Sequence, residues 1–210
     1  MEDLERIFRT RFKFQTNIVA LNASSKPQHQ MDRSLITFIE QNDGPRNLLI
    51  VYYTGHGVHR NDYKRLELWA ESLNYHESRR GPYVNWHRSE DILRSEEVDG
   101  DVLTILDTSY ASNQLIDRMT EDVSPETGKQ TRRFELMSAC AFDQTTAGPR
   151  KYSFTRALTD ALTALIDQNL NNPFSTFSLT SGSVEIPKDT IPHLCFGRCF
   201  PIRIIFFLRQ

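Results

Sequence analysis

Two runs of consecutive apolar residues, Leu48-Leu49-Ile50-Val51-Tyr52-Tyr53 and Val102-Leu103-Thr104-Ile105-Leu106, constrain the fold more than any other feature of the sequence. A strand with one wet face alternates apolar and polar residues, whereas a strand without alternation has to be covered on both faces. Such strands belong to parallel sheets, whose crossover connections lay helices on either side. Helices of the required kind are legible. Leu4, Ile7, Phe8 and Phe12 recur at steps of three and four, and Met31, Leu35, Phe38 and Ile39 form a stripe over about 31–41 that Asn42-Asp43-Gly44-Pro45 closes. Phe154, Leu158, Leu162 and Leu165 mark a longer helix over 153–168, and Ser89, followed by Glu90 and Asp91, predicts the N-cap of a short one running to about Glu97. Further strands are predicted at 16–21, 66–70, 83–84 and 134–137, a short helix at about 113–119, and antiparallel edge strands at 191–196 and 202–208. The expected class is α/β: a mostly parallel sheet with helices on both faces and an antiparallel edge.

Composition narrows the partners. The 210 residues are 39% hydrophobic and 25% charged, enough for one sizeable core and one domain. With 25 Lys and Arg against 27 Asp and Glu, the net charge of −2 gives no bulk attraction for nucleic acid or an anionic membrane, and neither is expected as a partner. No apolar stretch approaches the ~20 residues of a membrane span, and Met1-Glu2-Asp3-Leu4-Glu5 lacks the features of a signal peptide, so a cytoplasmic location is expected. The three cysteines, Cys140, Cys195 and Cys199, are too few and odd in number for a disulfide framework. Cys195 and Cys199 with His193 do not complete a four-ligand zinc pattern, so no metal is expected there.

In parallel sheets ligands gather at the carboxyl ends of the strands. Three predicted strand ends are polar: Thr54-Gly55-His56-Gly57, Asp107-Thr108-Ser109, and Ser138-Ala139-Cys140 with Asp143 beyond it. His56, between two glycines, suits general acid or base chemistry and equally suits a polar turn. Ser109 is a nucleophile if a base reaches it and otherwise a cap; without Gly-x-Ser-x-Gly around it, the hydrolase nucleophile elbow is not indicated. His56 and position 109 stand 53 residues apart, close to the ~50 that separate His and nucleophile in one group of cysteine peptidases.

On these segments the sequence resembles the caspase and metacaspase family of cysteine peptidases, with a fungal caspase-domain flavour. Ile50-Val51-Tyr52-Tyr53-Thr54-Gly55-His56-Gly57 is similar to the family's strand and histidine motif. Leu106-Asp107-Thr108-Ser109-Tyr110-Ala111-Ser112 is similar to the metacaspase nucleophile motif. Ser138-Ala139-Cys140-Ala141-Phe142-Asp143-Gln144-Thr145-Thr146-Ala147 resembles the segment that in metacaspases runs Ser-Gly-Cys-x-Asp-x-Gln-Thr-Ser-Ala, and Tyr152-Ser153-Phe154-Thr155-Arg156-Ala157-Leu158 the helix after it. The resemblance spans most of the chain. It implies a three-layer caspase-like domain over 1–210, with a large-subunit-like part (1–117), a linker (118–133) and a small-subunit-like part (134–210).

The resemblance further implies His56 as general acid, the amides of Gly57 and residue 109 as oxyanion donors, and Asp107, Asp143 and Ser138 as a pocket for a basic residue before the cut. Carboxylates hold Arg bidentately and Lys as a point charge, so protein or peptide substrates with basic residues are the expected partners, alongside regulatory or N-terminal segments. Asp107 and Asp143 also have plain readings, as a local cap and a surface turn residue. Programmed cell death is the biological setting implied by the family. No cofactor is expected; some members need calcium, but the acidic run Glu96, Glu97, Asp99 and Asp101 reads first as a solvated turn. Trp69 and Trp86 either line substrate subsites or pack beneath them. The basic residues of the linker, Arg118, Lys129, Arg132 and Arg133, suit self-processing or a solvated loop.

Two departures stand out. The family's nucleophile is Cys and the matching residue is Ser109, whose alcohol cannot supply the thiolate that a pKa near ~8.5 allows. The domain is therefore expected to be inactive as written, either as a peptidase with a Cys-to-Ser replacement or as a natural pseudopeptidase that binds and regulates. The second departure is at the front: the family's first strand precedes the opening helix, and here the sequence starts at that helix, so either the sequence is truncated or the strand is absent or supplied from elsewhere, and a gap in the sheet would weaken the core.

Overall fold

The computed structural model describes residues 2–70, 82–111, 132–139, 153–168, 174–176, 195–196 and 202–209. Its centre is a five-stranded sheet. In chain order the strands are β1 (Gln15–Leu21), β2 (Leu48–Thr54), β6 (Asp101–Asp107), β7 (Phe134–Ser138) and β10 (Ile202–Arg209), arranged β1-β10-β2-β6-β7 with every neighbouring pair parallel. A second sheet, antiparallel, is made of β3 (His56–Arg60), β4 (Arg65–Trp69) and β5 (Tyr83–Asn85). A two-residue antiparallel ladder joins β8 (Phe174–Ser175) to β9 (Cys195–Phe196).

The unbroken apolar runs are the strands buried on both faces. Six of the seven residues of β2 are buried, and alternate side chains feed two separate clusters. Leu49, Val51, Tyr53, Val102, Leu106 and Ile205 pack on one face against Met31, Leu35 and Phe38 of α2 (Pro27–Asn42) and Trp86 and Leu93 of α3 (Trp86–Arg94). Leu48, Ile50, Tyr52, Leu103, Ile105 and Met137 pack on the other, against Leu4 of α1 (Glu2–Arg6), Phe8, and Leu158 and Leu162 of α4 (Phe154–Gln168). The opening helix does not continue as α: after α1 it widens over Ile7–Arg11, with Phe12 N–H donating to the Ile7 carbonyl five residues back.

Several expectations are corrected. The run at 202–208 is neither antiparallel nor an edge: β10 lies inside the sheet, parallel to β1 on one side and β2 on the other. The main sheet shows no gap among its described strands, because β10, from late in the sequence, lies between β1 and β2. Among the described residues, antiparallel pairing occurs in the two smaller sheets and not at an edge of the main one. Ser89 is not an N-cap. The helix begins at Trp86 after Asn85, and the fully buried Ser89 hydroxyl donates to Asp32 Oδ1 at 3.0 Å, tying α3 to α2. Helix α2 starts earlier than its apolar stripe, at Pro27, a residue suited to a first turn because its missing N–H has no intrahelical partner to lose.

Arg132 does not behave as a free linker residue. Its guanidinium donates to the carbonyls of Leu93 at 2.8 Å and Ser95 at 2.9 Å, closing the C-terminal end of α3. Residues 112–131, the short helix at 113–119 and most of the 118–133 linker lie outside the described residues.

Candidate functional site at the strand ends

Parallel pairing puts the carboxyl ends of β2, β6 and β7 at one rim. Thr54 stands opposite Asp107 and Leu106 opposite Ser138, so the two main motifs are level and Ser138 is beside them. Backbone bonds continue past the ladders: Gly55 N–H donates to Asp107 O at 3.3 Å, and Ala139 N–H to Leu106 O at 3.0 Å. Gly55 alone separates β2 from β3. His56 is thus the first residue of an antiparallel strand rather than a loop residue, facing Trp69 across the ladder.

Gly57 shows how closely the histidine and nucleophile motifs meet. A Cβ there would lie 2.3 Å from Thr108 Oγ1 and 2.9 Å from the Ser109 carbonyl oxygen. Only glycine lets β3 press against the turn after β6. That turn is itself unusual, since Tyr110, directly after Ser109, has φ 60°, a left-handed conformation that an ordinary side chain disfavours and that marks a sharp reversal. His56, Gly57, Asp107, Ser109 and Ser138 are therefore brought to one rim.

Asp107 is held by hydroxyls, not by the backbone amides of a local cap. Its Oδ2 accepts from Tyr52 at 3.0 Å, from Thr54 at 3.4 Å and, most tightly, from the Thr155 hydroxyl in the first turn of α4. Three donors converge on one oxygen. Among the described residues no hydrogen bond reaches Oδ1 and no cation pairs with Asp107, which is half-buried. Among the described residues the arrangement is a fixed carboxylate with one acceptor oxygen unused.

The Asp107 network has a titratable signature. Burial, reinforced by the Asp107 charge, pushes the Tyr52 phenol well above its ordinary pKa of 10.0. A raised pKa in the folded state means that the neutral phenol is favoured by folding. Its stabilisation is complete below the unfolded value and declines as pH rises above about 10, by ~1.4 kcal/mol per pH unit. Tyr52→Phe is expected to flatten that alkaline slope in urea titrations between pH 9 and ~11, while the slope persists in Tyr63→Phe, whose side chain is 69% exposed.

The remaining candidates divide. Trp69, 4% exposed, meets the His56 ring edge to face with centroids 6.0 Å apart, whereas Trp86 is fully buried in the hydrophobic core. Of the acidic run, Glu96, Glu97 and Asp99 are exposed, and the Asp43 carboxylate, which the sequence reading passed over, accepts the amides of Asp99 and Gly100. Among the described residues no three His, Cys, Asp or Glu side chains are grouped to hold a metal ion. No described helix is long and apolar enough to cross a membrane. Asp143, Cys140 and Cys199 lie outside the described residues. The sequence reading missed Tyr52, Thr54 and Thr155 as partners of Asp107. The apolar context of Tyr52 marked it as core, though a tyrosine in a strand otherwise buried needs a partner for its hydroxyl, and that was the available signal.

No family model, no curated protein and no solved structure matches the chain.

Proposed function

We propose that the chain is a three-layer, caspase-like domain whose underlying chemistry is that of a cysteine endopeptidase acting after Arg or Lys, and that with Ser109 at the nucleophile position it binds basic segments without cutting them. The observation that carries this reading is Asp107. A half-buried carboxylate, fixed through one oxygen by three hydroxyls and, among the described residues, without a partner at the other, sits two residues from Ser109 at the rim that holds His56. A pre-oriented carboxylate of this kind recognises a guanidinium or ammonium more strongly than a freely rotating one, since the ordering cost is met by the fold.

In the parent chemistry a thiolate at position 109 attacks the scissile carbonyl carbon, and His56 gives a proton to the leaving amine. The backbone amides of Gly57 and residue 109 face the developing oxyanion. The close approach at Gly57 supports this assignment, because it requires the two motifs to stand together. A serine keeps the shape and loses the thiolate. Binding is then the activity left.

Binding tests the reading directly. A fluorescent peptide containing one Arg should associate with the protein, and the matched peptide with citrulline in its place should bind roughly 10- to 100-fold more weakly, the range for losing a hydrogen bond to a charged group. Asp107→Asn should remove that preference. Equal binding of both peptides by a folded protein would defeat the proposal.

A further inference from the structure

We propose that Tyr53 and Trp69 are positioning residues for His56, an inference that rests on reading His56 as the acid–base group of the site. The difficulty they answer is mechanical. His56 does not belong to the main sheet: it opens β3, which leaves β2 through the single residue Gly55 and pairs with β4 in a different sheet. A one-residue joint leaves the placement of the imidazole at the rim to whatever fastens β3 to β2.

The fastening is the Tyr53 hydroxyl. Tyr53 is fully buried near the end of β2, and its phenol oxygen lies 3.1 Å from the His56 carbonyl oxygen and 3.2 Å from that of Trp69. His56 and Trp69 are cross-strand partners, so one hydroxyl proton is shared between both carbonyls of one rung. A phenylalanine would fill the same space in the core and hold neither carbonyl. The second restraint is the indole. Trp69 meets the imidazole edge to face at an interplanar angle of 81° and is itself 4% exposed, so the ring beside His56 is a fixed wall. The backbone of His56 thus hangs from a core phenol while its ring is bounded by a packed indole.

The test begins with the protein as it stands, uniformly isotope-labelled, and follows the His56 ring resonances in the parent and in Tyr53→Phe. That change leaves an aromatic ring of the same size in place. The His56 signals should shift or split, while those of the exposed His29 and the amides of β6 stay put. Unmoved His56 signals in a folded Tyr53→Phe protein would overturn the proposal. A kinetic arm uses Ser109→Cys as background: Tyr53→Phe and Trp69→Phe should each lower kcat roughly 10- to 100-fold with KM little changed, as displacement of a catalytic group by about 1 Å does. An unchanged kcat would also overturn it. A silent Ser109→Cys background counts against the peptidase reading alone, and the resonances of His56 then decide the positioning role by themselves.

Discussion

Ser109→Cys is expected to turn a protein with no detectable turnover into one that cleaves after Arg or Lys, a gain of roughly a thousandfold or more. The magnitude follows from the nucleophile, since removing the attacking group from such a site costs on the order of a millionfold and a serine recovers little of it without a base that deprotonates an alcohol. The change is sterically small. It enters a turn whose neighbours are already placed, with Gly57 pressed against Thr108 and the Ser109 carbonyl. Fluorogenic peptides ending in Arg, Lys or Asp, with and without calcium, read the result. Cleavage of the basic peptides, abolished by His56→Ala and shifted away from them by Asp107→Asn, is the expected pattern. A folded Ser109→Cys protein that cuts none of them, yet still prefers the Arg peptide in binding, would identify the rim as a recognition site only. Preference for the Asp peptide would contradict the role given to Asp107.

The parts legible in the sequence were those that local patterns encode. β2 and β6 declared themselves because burial on both faces demands unbroken apolar residues, and the rim followed because parallel strands end together. What escaped was decided by pairing between distant segments. His56–Arg60 has no strand-like composition, and it is extended because β4 pairs with it. Ser89 has the identity of a cap, but its hydroxyl finds Asp32 on another helix, and local capping rules do not weigh such a competitor. Asp107 was singled out as a carboxylate, yet Thr155, which fixes it, lies 48 residues on. The run at 202–208 was seen as a strand and assigned to the wrong place. Its nearly continuous apolar character fits the interior position it holds.

That interior position makes β10 sensitive to a charge at its buried residue. Ile205, 2% exposed, joins the core beside Leu49 and Val51, and Ile205→Asp would place an unpaired carboxylate there. The expected loss is about 4 kcal/mol or more, a large part of the stability of a typical domain. Ile18→Asp supplies the contrast. Ile18 lies on the neighbouring strand β1, opposite Phe206, but is 56% exposed, and the same substitution there should cost about 0.5 kcal/mol or less. Urea denaturation followed by far-ultraviolet circular dichroism separates the two, since an edge location for β10 would make both changes mild. The consequence reaches the rim. In the parallel register Phe207 stands opposite Tyr53 and Leu208 opposite Thr54, so β10 is one of the two strands, with β6, that flank β2 where the His56 clamp and one Asp107 donor originate. A variant weakened at Ile205 yet still folded should therefore lose its preference for the Arg peptide before it loses its helices, whereas Ile18→Asp should keep both.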